Sequence, residues 1–454
     1  MHPRKSEAAI MMTITREMQR KQRQDARFIS KQTQTSAKYL RRIAELPGAP
    51  DGMEPFYETL HRIYVGMQGV DLPLGVKTIG TYCVMAPQEL IYAAGAMPVK
   101  LCSGNYTAFF VGDDIAPRDA CPLVKAVAGF KHTGLMPIYD NCSMMIVPVT
   151  CDCKKRIAGM LEGKCDVMTM HIPASRGDDE IDGFVSQLYE LAARLEDATG
   201  NRITYESLVN AFSMVGHAQY ELSEFIRLKK QHPYLVRGTH AMTMMNAAAY
   251  MSAPAWANAM HMVNVSLRRR ASSGQTVTGK KLPRILLTGS PIVFPNMKIP
   301  LLIEEMGGIV AGDETCMGER GMYDPPVITD NSFDGMMRAL ANRSLRPCPC
   351  PTFADNSQRI YRLKQLIKDN TIQGVIYHVL RGCLVYDFEY KRIEEELGRL
   401  GIPVIRLESD YNEEDVEQLR IRIEAFIELI KLRQAPEKRP TARRNFNEQV
   451  LHRA

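Results

Sequence analysis

Three cysteines of this chain lie where their thiolates could hold a soft metal centre. Cys121 and Cys151 bracket the apolar run of residues 144–149, which is typical of a buried strand, and Cys383 follows another such run at residues 374–380. Cysteines on loops at the ends of buried strands are well placed to hold a metal in a shielded pocket. We therefore predict that Cys121, Cys151 and Cys383 meet around one iron–sulfur cluster.

The wider distribution of cysteines supports this prediction but leaves alternatives open. Cys83, Cys151, Cys316 and Cys383 all come directly after predicted strands or in the loop that follows. Ligands of open α/β sheets bind in the crevice beyond the carboxyl ends of the strands. Any single cysteine, however, is more often a small buried apolar residue than a ligand. Simple burial is therefore one alternative to a cluster.

Zinc is the second alternative. Cys348 and Cys350 form a CxC pair, as do Cys151 and Cys153. These pairs lack the histidine neighbours and the doubled CxxC spacing of zinc modules, and the chain has no ferredoxin-like CxxCxxC run. The spacing gives zinc no positive support.

Some polar residues near these cysteines are further candidates. Glu89 lies in the first turn of a predicted helix that is aimed at the crevice, and it could contact substrate. Acidic residues at this position more often only interact favourably with the helix dipole. Residues 313–314 and 319–320 flank Cys316 and could do acid–base work, but an exposed loop face is the default expectation. The Gly-Ser-Pro turn at 289–291 could bind a phosphate through backbone N–H groups.

The elements that must position these residues alternate between strand and helix in two similar stretches. Such alternation indicates two α/β domains with mainly parallel sheets. Between them, residues 203–270 read as helix throughout, with Thr204 as a candidate N-cap and a stripe of methionines that we expect to pack in the core. The predicted division is a helical N-terminal segment (1–70), a first α/β domain (71–200), a helical connecting region (201–275), a second α/β domain (276–432) and a basic tail (433–454).

Composition narrows the class of protein. The chain has 454 residues, of which 45% are hydrophobic and 24% charged, as in ordinary globular proteins. No apolar run reaches membrane-spanning length and no secretory signal is evident, so we expect a cytoplasmic protein. The net charge of +6 is concentrated at the two ends without interleaved aromatics, which argues against nucleic-acid binding. Eleven cysteines without a signal peptide argue against a disulfide scaffold.

Seven segments, in the same order, resemble the 2-hydroxyacyl-CoA dehydratase family, which also contains benzoyl-CoA reductase subunits and double-cubane-cluster reductases. The resemblance covers about residues 75–430. The matching segments are GTYCVMAPQELIYAAGAMPVKLCSGN, CPLVKAVAGF, VTCDCKKRIAGML, RILLTGSP, GDETCMG, CPCPTFADNSQRI, and VLRGCLVYDFEYKRIEEEL with IPVIRLESDY and QLRIRIEAFIE after it.

The resemblance implies a fold, a cofactor and partners. The expected fold is two Rossmann- or flavodoxin-like parallel-sheet domains that face each other across a cluster cleft, with helical N-terminal and linking segments. The family's 4Fe–4S cluster is held by three cysteines, which match Cys121, Cys151 and Cys383, and one iron stays open to substrate or water. An ATP-hydrolysing iron–sulfur activator supplies single electrons, and a ketyl radical of the acyl-CoA substrate then expels the hydroxyl group. A homodimer, or a heterodimer with a related subunit, is expected.

The double-cubane branch is the alternative that the resemblance leaves open. Cys316 and the pair Cys348 and Cys350 are similar to its additional ligands for an 8Fe–9S cluster. That branch usually has a Cys-Pro step between its first two ligands, whereas here Met136 stands before proline, and either Cys142 or Cys153 could substitute. A non-catalytic electron-transfer or scaffold subunit is a third hypothesis.

Overall fold

The computed structural model describes residues 7–161, 163, 166–279, 282–322, 324–346 and 350–434. Eight strands form two sheets within this part of the chain. The strands are β1 (Thr78–Thr81), β2 (Met97–Lys100), β3 (Cys142–Val149), β4 (Val167–His171), β5 (Arg284–Gly289), β6 (Ile309–Glu314), β7 (Gly374–Leu380) and β8 (Val404–Ser409).

Sixteen α-helices surround the sheets in the described part of the chain. They are α1 (Glu7–Ala44), α2 (Glu54–Tyr64), α3 (Gln88–Ala93), α4 (Tyr106–Asp113), α5 (Pro122–Thr133), α6 (Pro137–Asp140), α7 (Asp152–Leu161), α8 (Asp178–Thr199), α9 (Tyr205–Gln231), α10 (Gly238–Ala247), α11 (Ala253–Ser272), α12 (Lys298–Glu305), α13 (Phe333–Leu345), α14 (Ser357–Asp369), α15 (Leu384–Gly398) and α16 (Val416–Gln434). None of these described helices is long and apolar enough to span a bilayer.

The two sheets have the same topology. Their strand orders are β2-β1-β3-β4 and β6-β5-β7-β8, and every strand pair is parallel. Parallel strands must be joined by crossover connections, which carry helices onto the faces of each sheet. The predicted α/β fold with two similar parallel-sheet domains is therefore confirmed. The predicted domain limits, which no observation here tests, stay a prediction.

The connecting region differs from the single helical run that we expected. It consists of α9, α10 and α11, with breaks after Gln231 and Ala247. The first break falls at His232, because the residue before a proline is driven out of the helical conformation. Ser252 begins α11 by accepting a hydrogen bond from the Ala255 N–H. The predicted N-cap Thr204 is confirmed, since its hydroxyl accepts from the backbone of the third helical residue.

The predicted methionine stripe lies mostly in the core. Met242, Met244, Met245 and Met260 are buried around Trp256, whose indole donates to a backbone carbonyl of α10. Met262, the last member of the stripe, is an exception because it points to solvent. The stripe therefore packs the helices of the connecting region against both domains.

Helices α4 and α5 approach each other closely through two glycines. A β-carbon on Gly129 would lie 1.9 Å from the carbonyl oxygen of Ala108, and one on Gly112 would lie 2.0 Å from that of Lys125. Only a residue without a side chain allows this approach. The contact fixes the position of α5, whose first turn lies beside Cys121.

Helix α13 was not anticipated from the sequence. It begins at Ser332, whose hydroxyl accepts from the Gly335 N–H at 2.9 Å. Although it follows β6 in the chain, its apolar face packs in the core of the first domain, where Met337 and Leu340 lie with Phe184 of α8. The helix therefore ties the second half of the chain to the first domain.

Candidate metal centre

A cavity of about 830 Å³ lies at the carboxyl ends of the two sheets. We call it the cysteine cavity, because all but Cys142 of the nine cysteines in the described part of the chain line it. Its cysteines are Cys83, Cys102, Cys121, Cys151, Cys153, Cys316, Cys350 and Cys383. The structure thus places cysteines that follow different strands around one cavity. Cys348 lies outside the described residues.

The shared sheet topology explains why thiols converge from both domains. Cys151 and Cys383 follow the equivalent strands β3 and β7, and Cys102 and Cys316 follow the equivalent edge strands β2 and β6. Because parallel strands all end at the same edge of a sheet, each domain presents its thiols at one edge. The two edges face each other across the cysteine cavity.

The three predicted cluster ligands each lie at the N-terminus of a helix. Cys121 and Cys383 are the residues that cap α5 and α15, and Cys151 directly precedes α7. Backbone N–H groups in the first turn of each helix act to lower the pKa of the thiol beside them. Free N–H groups and the helix dipole both favour the thiolate over the thiol at such positions.

Two of the predicted ligands lie close enough to shift each other's pKa. The Cys121 side chain, and after it the backbone of Tyr386, lower the pKa of Cys383 to about 7. The Cys383 side chain, followed by burial, raises the pKa of Cys121. Cys151 is close enough to interact electrostatically with Cys383, although burial raises its pKa. The structure thus brings all three predicted ligands together in one cavity.

A second group of thiols lines the same cavity. Cys350 interacts electrostatically with Cys83 and Cys316, and Cys102 interacts with the same two. Burial raises the pKa of Cys350 to about 11 and that of Cys102 to about 12. Cys350 and Cys102 are therefore protonated at neutral pH in the protein alone, and a bound metal would be needed to deprotonate them.

Basic side chains, which the sequence analysis did not single out, face the thiols. Lys100 and Lys154 line the cavity, and the Lys154 ammonium donates to the carbonyl oxygen of Tyr82 at 2.9 Å. Burial alone would lower the pKa of Lys154, but nearby thiols, Cys83 foremost, raise it. For Lys100 burial dominates, and its pKa is lowered. No sequence signal identified these lysines, because residue type alone does not show whether a basic side chain faces solvent or a cavity.

Arg320 contributes a third cation to the cavity wall and is held by buried partners. Its guanidinium donates to Glu314 at 3.0 Å and to the hydroxyl of Tyr386 at 2.6 Å. Glu314 also pairs with Arg359, which in turn bonds Glu389 at 2.7 Å. Two guanidinium groups and two carboxylates thus balance in charge inside the second domain, which fixes Arg320 and Tyr386 against the cavity.

The expectation that the loop around Cys316 presents an exposed acidic face is wrong. Asp313, Glu314, Glu319 and Arg320 are all buried. Glu319 forms an ion pair with Lys229 of α9. Burial, and then the nearby Glu319 carboxylate, raise the pKa of Asp313 to about 7. Sequence reasoning missed this because the partners lie on distant segments of the chain.

Glu89 lies outside the residues that line the cysteine cavity. It is buried in α3, and its carboxylate pairs with Arg343 at 2.9 Å. Arg343 lines a small neighbouring cavity of about 30 Å³ together with Cys83 and Lys100. The predicted contact between Glu89 and substrate stays a prediction.

The cysteines that could replace the missing Cys-Pro ligand are separated by the fold. Cys153 lines the cavity, whereas Cys142 is buried beneath it and donates to the carbonyl oxygen of Ile138 at 3.0 Å. Met136, which stands at the expected ligand position, is fully buried. Of the two candidates, Cys153 alone faces the cavity.

The geometry bears on the kind of metal that these thiols could hold. Among the described residues, no three histidine, cysteine or acidic side chains converge closely enough to bind a single metal ion. A cluster makes a different demand, because each thiolate binds a different iron atom and the sulfurs need not meet at one point. An all-thiol donor set in a large, shielded cavity fits an iron–sulfur cluster better than one zinc ion.

Comparison with known proteins agrees with the resemblance found in the sequence. The YjiM protein of Escherichia coli (strain K12), a dehydratase subunit by name, is 30% identical over 359 residues, which cover 78% of this chain and 92% of that protein. The (R)-phenyllactyl-CoA dehydratase beta subunit of Clostridium sporogenes is 23% identical, with 78% and 92% covered. A benzoyl-CoA reductase subunit of Thauera aromatica is 21% identical, with 78% and 91% covered.

The family model described as 2-hydroxyglutaryl-CoA dehydratase, D-component (HGD-D) matches residues 83–430. This range includes strands β2 to β8 and every cysteine of the cavity. The family recognised in the sequence is thereby confirmed. On the strength of this match, the chain belongs to the 2-hydroxyglutaryl-CoA dehydratase D-component family.

Proposed function

We propose that this chain is the iron–sulfur component of a 2-hydroxyacyl-CoA dehydratase-like enzyme, with a 4Fe–4S cluster held by Cys121, Cys151 and Cys383. One observation carries the proposal. The three thiols line a single cavity, each at a helix N-terminus, and Cys121 and Cys383 lie close enough to shift each other's pKa.

When bound, a cluster with one iron free of protein ligands would act as a Lewis acid on the thioester carbonyl or hydroxyl of a substrate and would carry single electrons. The residues of this chain prepare the site for it. Helices α5, α7 and α15 orient the thiols, and the positive charge of Lys154 favours the deprotonated, ligating form of Cys151 and Cys383. Apolar side chains such as Val124 and Leu380 limit the access of water, which strengthens these electrostatic effects.

The partners in this proposal follow from the family. An ATP-dependent iron–sulfur activator would supply low-potential electrons, and an acyl-CoA would be the substrate. The relatives are named as subunits of larger enzymes, which supports pairing with a related subunit or with a second copy of this chain.

Anaerobic purification followed by iron and sulfide analysis tests the proposal. We expect about four irons per chain. Replacing Cys121, Cys151 or Cys383 individually by alanine should lower the iron content severalfold. Cys142→Ala is the matched control, because this buried cysteine lies outside the cavity and its replacement should leave the iron content unchanged. Unchanged iron in all three cavity variants would contradict the proposed ligands.

A second candidate function is an ATP-dependent reductase of small molecules, of the double-cubane or benzoyl-CoA reductase type. The observation that favours it is the second group of thiols, in which Cys83, Cys316 and Cys350 face the same cavity. About eight irons per chain would support it. Cys83→Ala and Cys316→Ala separate the candidates, because they should halve the iron of a double cubane and leave that of a single cubane intact.

A further inference from the structure

Two histidines and a glutamate meet where α9 and α11 pack against each other, away from the cysteine cavity. His217 and Glu221 lie four residues apart on α9, which places them one turn apart on the same side of the helix. His261 comes from α11. The Glu221 Oε1 lies 2.9 Å from His261 Nδ1 and 3.9 Å from His217 Nε2. One carboxylate oxygen therefore faces a ring nitrogen of each histidine.

The carboxylate of Glu221 is held in place by Asn264 of α11. The Asn264 side-chain amide donates to the Glu221 Oε2 at 2.8 Å and to the Glu221 backbone carbonyl oxygen at 2.9 Å. Asn264 itself is fully buried. The Oε2 atom is thus bonded within the protein, while Oε1 is turned toward the histidines. A hydrogen bond of this kind orients a carboxylate that binds a metal.

Glu221 is a buried carboxylate beside groups that carry no permanent positive charge. Its side chain is 3% exposed, and its ion-pair partners within the described part of the chain are the two histidines. Imidazole is charged only when it is protonated, whereas a buried carboxylate is costly unless a positive charge lies beside it. A divalent cation between Glu221 and the two neutral rings would supply that charge.

The spacing of the donor atoms suits a metal ion. With bonds of about 2.0–2.2 Å, neighbouring ligand atoms around one ion lie about 3.0–3.5 Å apart. The two measured separations, 2.9 and 3.9 Å, bracket that range. The described side chains do not yet surround a common point. Both histidine side chains are about half exposed, so their rings can turn to reach it while the packed helices stay in place.

We propose that His217, Glu221 and His261 form a binding site for a divalent transition-metal ion such as Zn²⁺ or Ni²⁺. The ligand types fit, because imidazole suits zinc, copper, iron and nickel. His217 binds through Nε2, and His261 binds through Nδ1 with its ring proton on the other nitrogen. Three protein ligands on a half-exposed face leave a further position for water. The ion links α9 to α11 and thereby braces the connecting region.

Anaerobic equilibrium dialysis against Ni²⁺, with bound nickel and zinc counted by elemental analysis, tests the site. Nickel is the probe because softer thiolates prefer other metals, and metal bound in the cysteine cavity is common to all proteins compared. His217→Ala and His261→Ala should each weaken the binding of one ion per chain at least tenfold, since losing even an outer hydrogen-bond partner costs about 10–100-fold. Both side chains are half exposed, so these variants should fold.

His132→Ala is the matched control, because it removes an exposed histidine from a different helix, α5. One ion fewer per chain in both histidine variants, with His132→Ala equal to the parent protein, supports the site. Equal binding by the parent protein and by the double variant His217→Ala/His261→Ala would overturn it. So would a loss confined to one of the two histidines, or an equal loss in His132→Ala. None of these results bears on the iron–sulfur proposal, since every cysteine is retained.

Discussion

Removing one carboxylate from the buried charge network should destabilise the second domain strongly. Glu314 is fully buried and is shared by Arg320 and Arg359, with a further hydrogen bond from Thr288 at 2.7 Å. Glu314→Gln keeps the shape of the side chain but removes the negative charge that pairs with both Arg320 and Arg359. Removing one partner of a buried ion pair costs about 3–5 kcal/mol. That is a large part of the stability of an ordinary domain.

The assay is urea-induced unfolding at neutral pH, and a double substitution isolates the electrostatic part. Replacing Arg320 by glutamine together with Glu314→Gln restores the charge balance, so the double variant should lose less free energy of unfolding than the sum of the two single variants. Glu394→Gln serves as a control, since its partner Lys391 lies on the exposed surface of α15 and no measurable change is expected.

The pH dependence has a definite sign. Burial would raise the pKa of Glu314, but Arg320 and Arg359 hold it below its usual 4.5. A carboxyl group with a lowered pKa in the folded state stabilises the fold above pH 4.5 and loses that contribution as the pH falls through its folded value. The parent protein and Glu314→Gln should therefore converge in stability in acid. The reasoning is refuted by a loss under about 1 kcal/mol at neutral pH, or by strict additivity in the double variant.

Three other predictions concern the scaffold. Thr204→Ala removes the N-cap of α9 and should lower the free energy of unfolding by about 1 kcal/mol in urea titrations, whereas no change would contradict the observed capping box. Gly129→Ala forces α4 away from α5 and should lower the free energy of unfolding by about 1–3 kcal/mol. Gly216→Ala in α9 is the control, because it has open space around it and should be neutral or stabilising. Equal effects of the two substitutions would refute the packing argument. Burial lowers the pKa of His240 from 6.5 to about 4, so the unfolded chain binds more protons than the folded protein between these pH values. The free energy of unfolding should therefore decline by up to about 3 kcal/mol as the pH falls through this range. Unfolding curves at pH 7 and 4.5 should show a smaller decline for His240→Gln, and an unaltered pH profile would contradict this prediction.

Much of the fold was readable from local patterns. Apolar runs predicted the strands at residues 144–149 and 374–380, and Thr204 marked a helix start that the structure confirms. Local signals also carried the break that we overlooked, since the proline after His232 ends α9. The extension of β6 to Glu314 could not be read in this way, because its polar end is stabilised by partners elsewhere in the chain.

In the candidate site, too, some features could be predicted from the local sequence and others depend on distant partners. Cysteines that follow buried strands could be recognised one by one, and parallel strand order implied that they meet at a sheet edge. Lys154 and Arg320 could not be recognised, because a basic residue in a sequence gives no sign of whether it faces solvent or a cavity. Their role depends on burial and on which side chains lie opposite.

The sequence by itself determined the family, the repeated α/β pattern and the thiols that end the strands, because each depends on residue types at short separations along the chain. Tertiary structure alone decided that eight cysteines share one cavity and that Glu89 pairs with Arg343. Those contacts join segments tens to hundreds of residues apart. They exist because two sheets of identical order present their carboxyl ends to each other, and no local pattern encodes that arrangement.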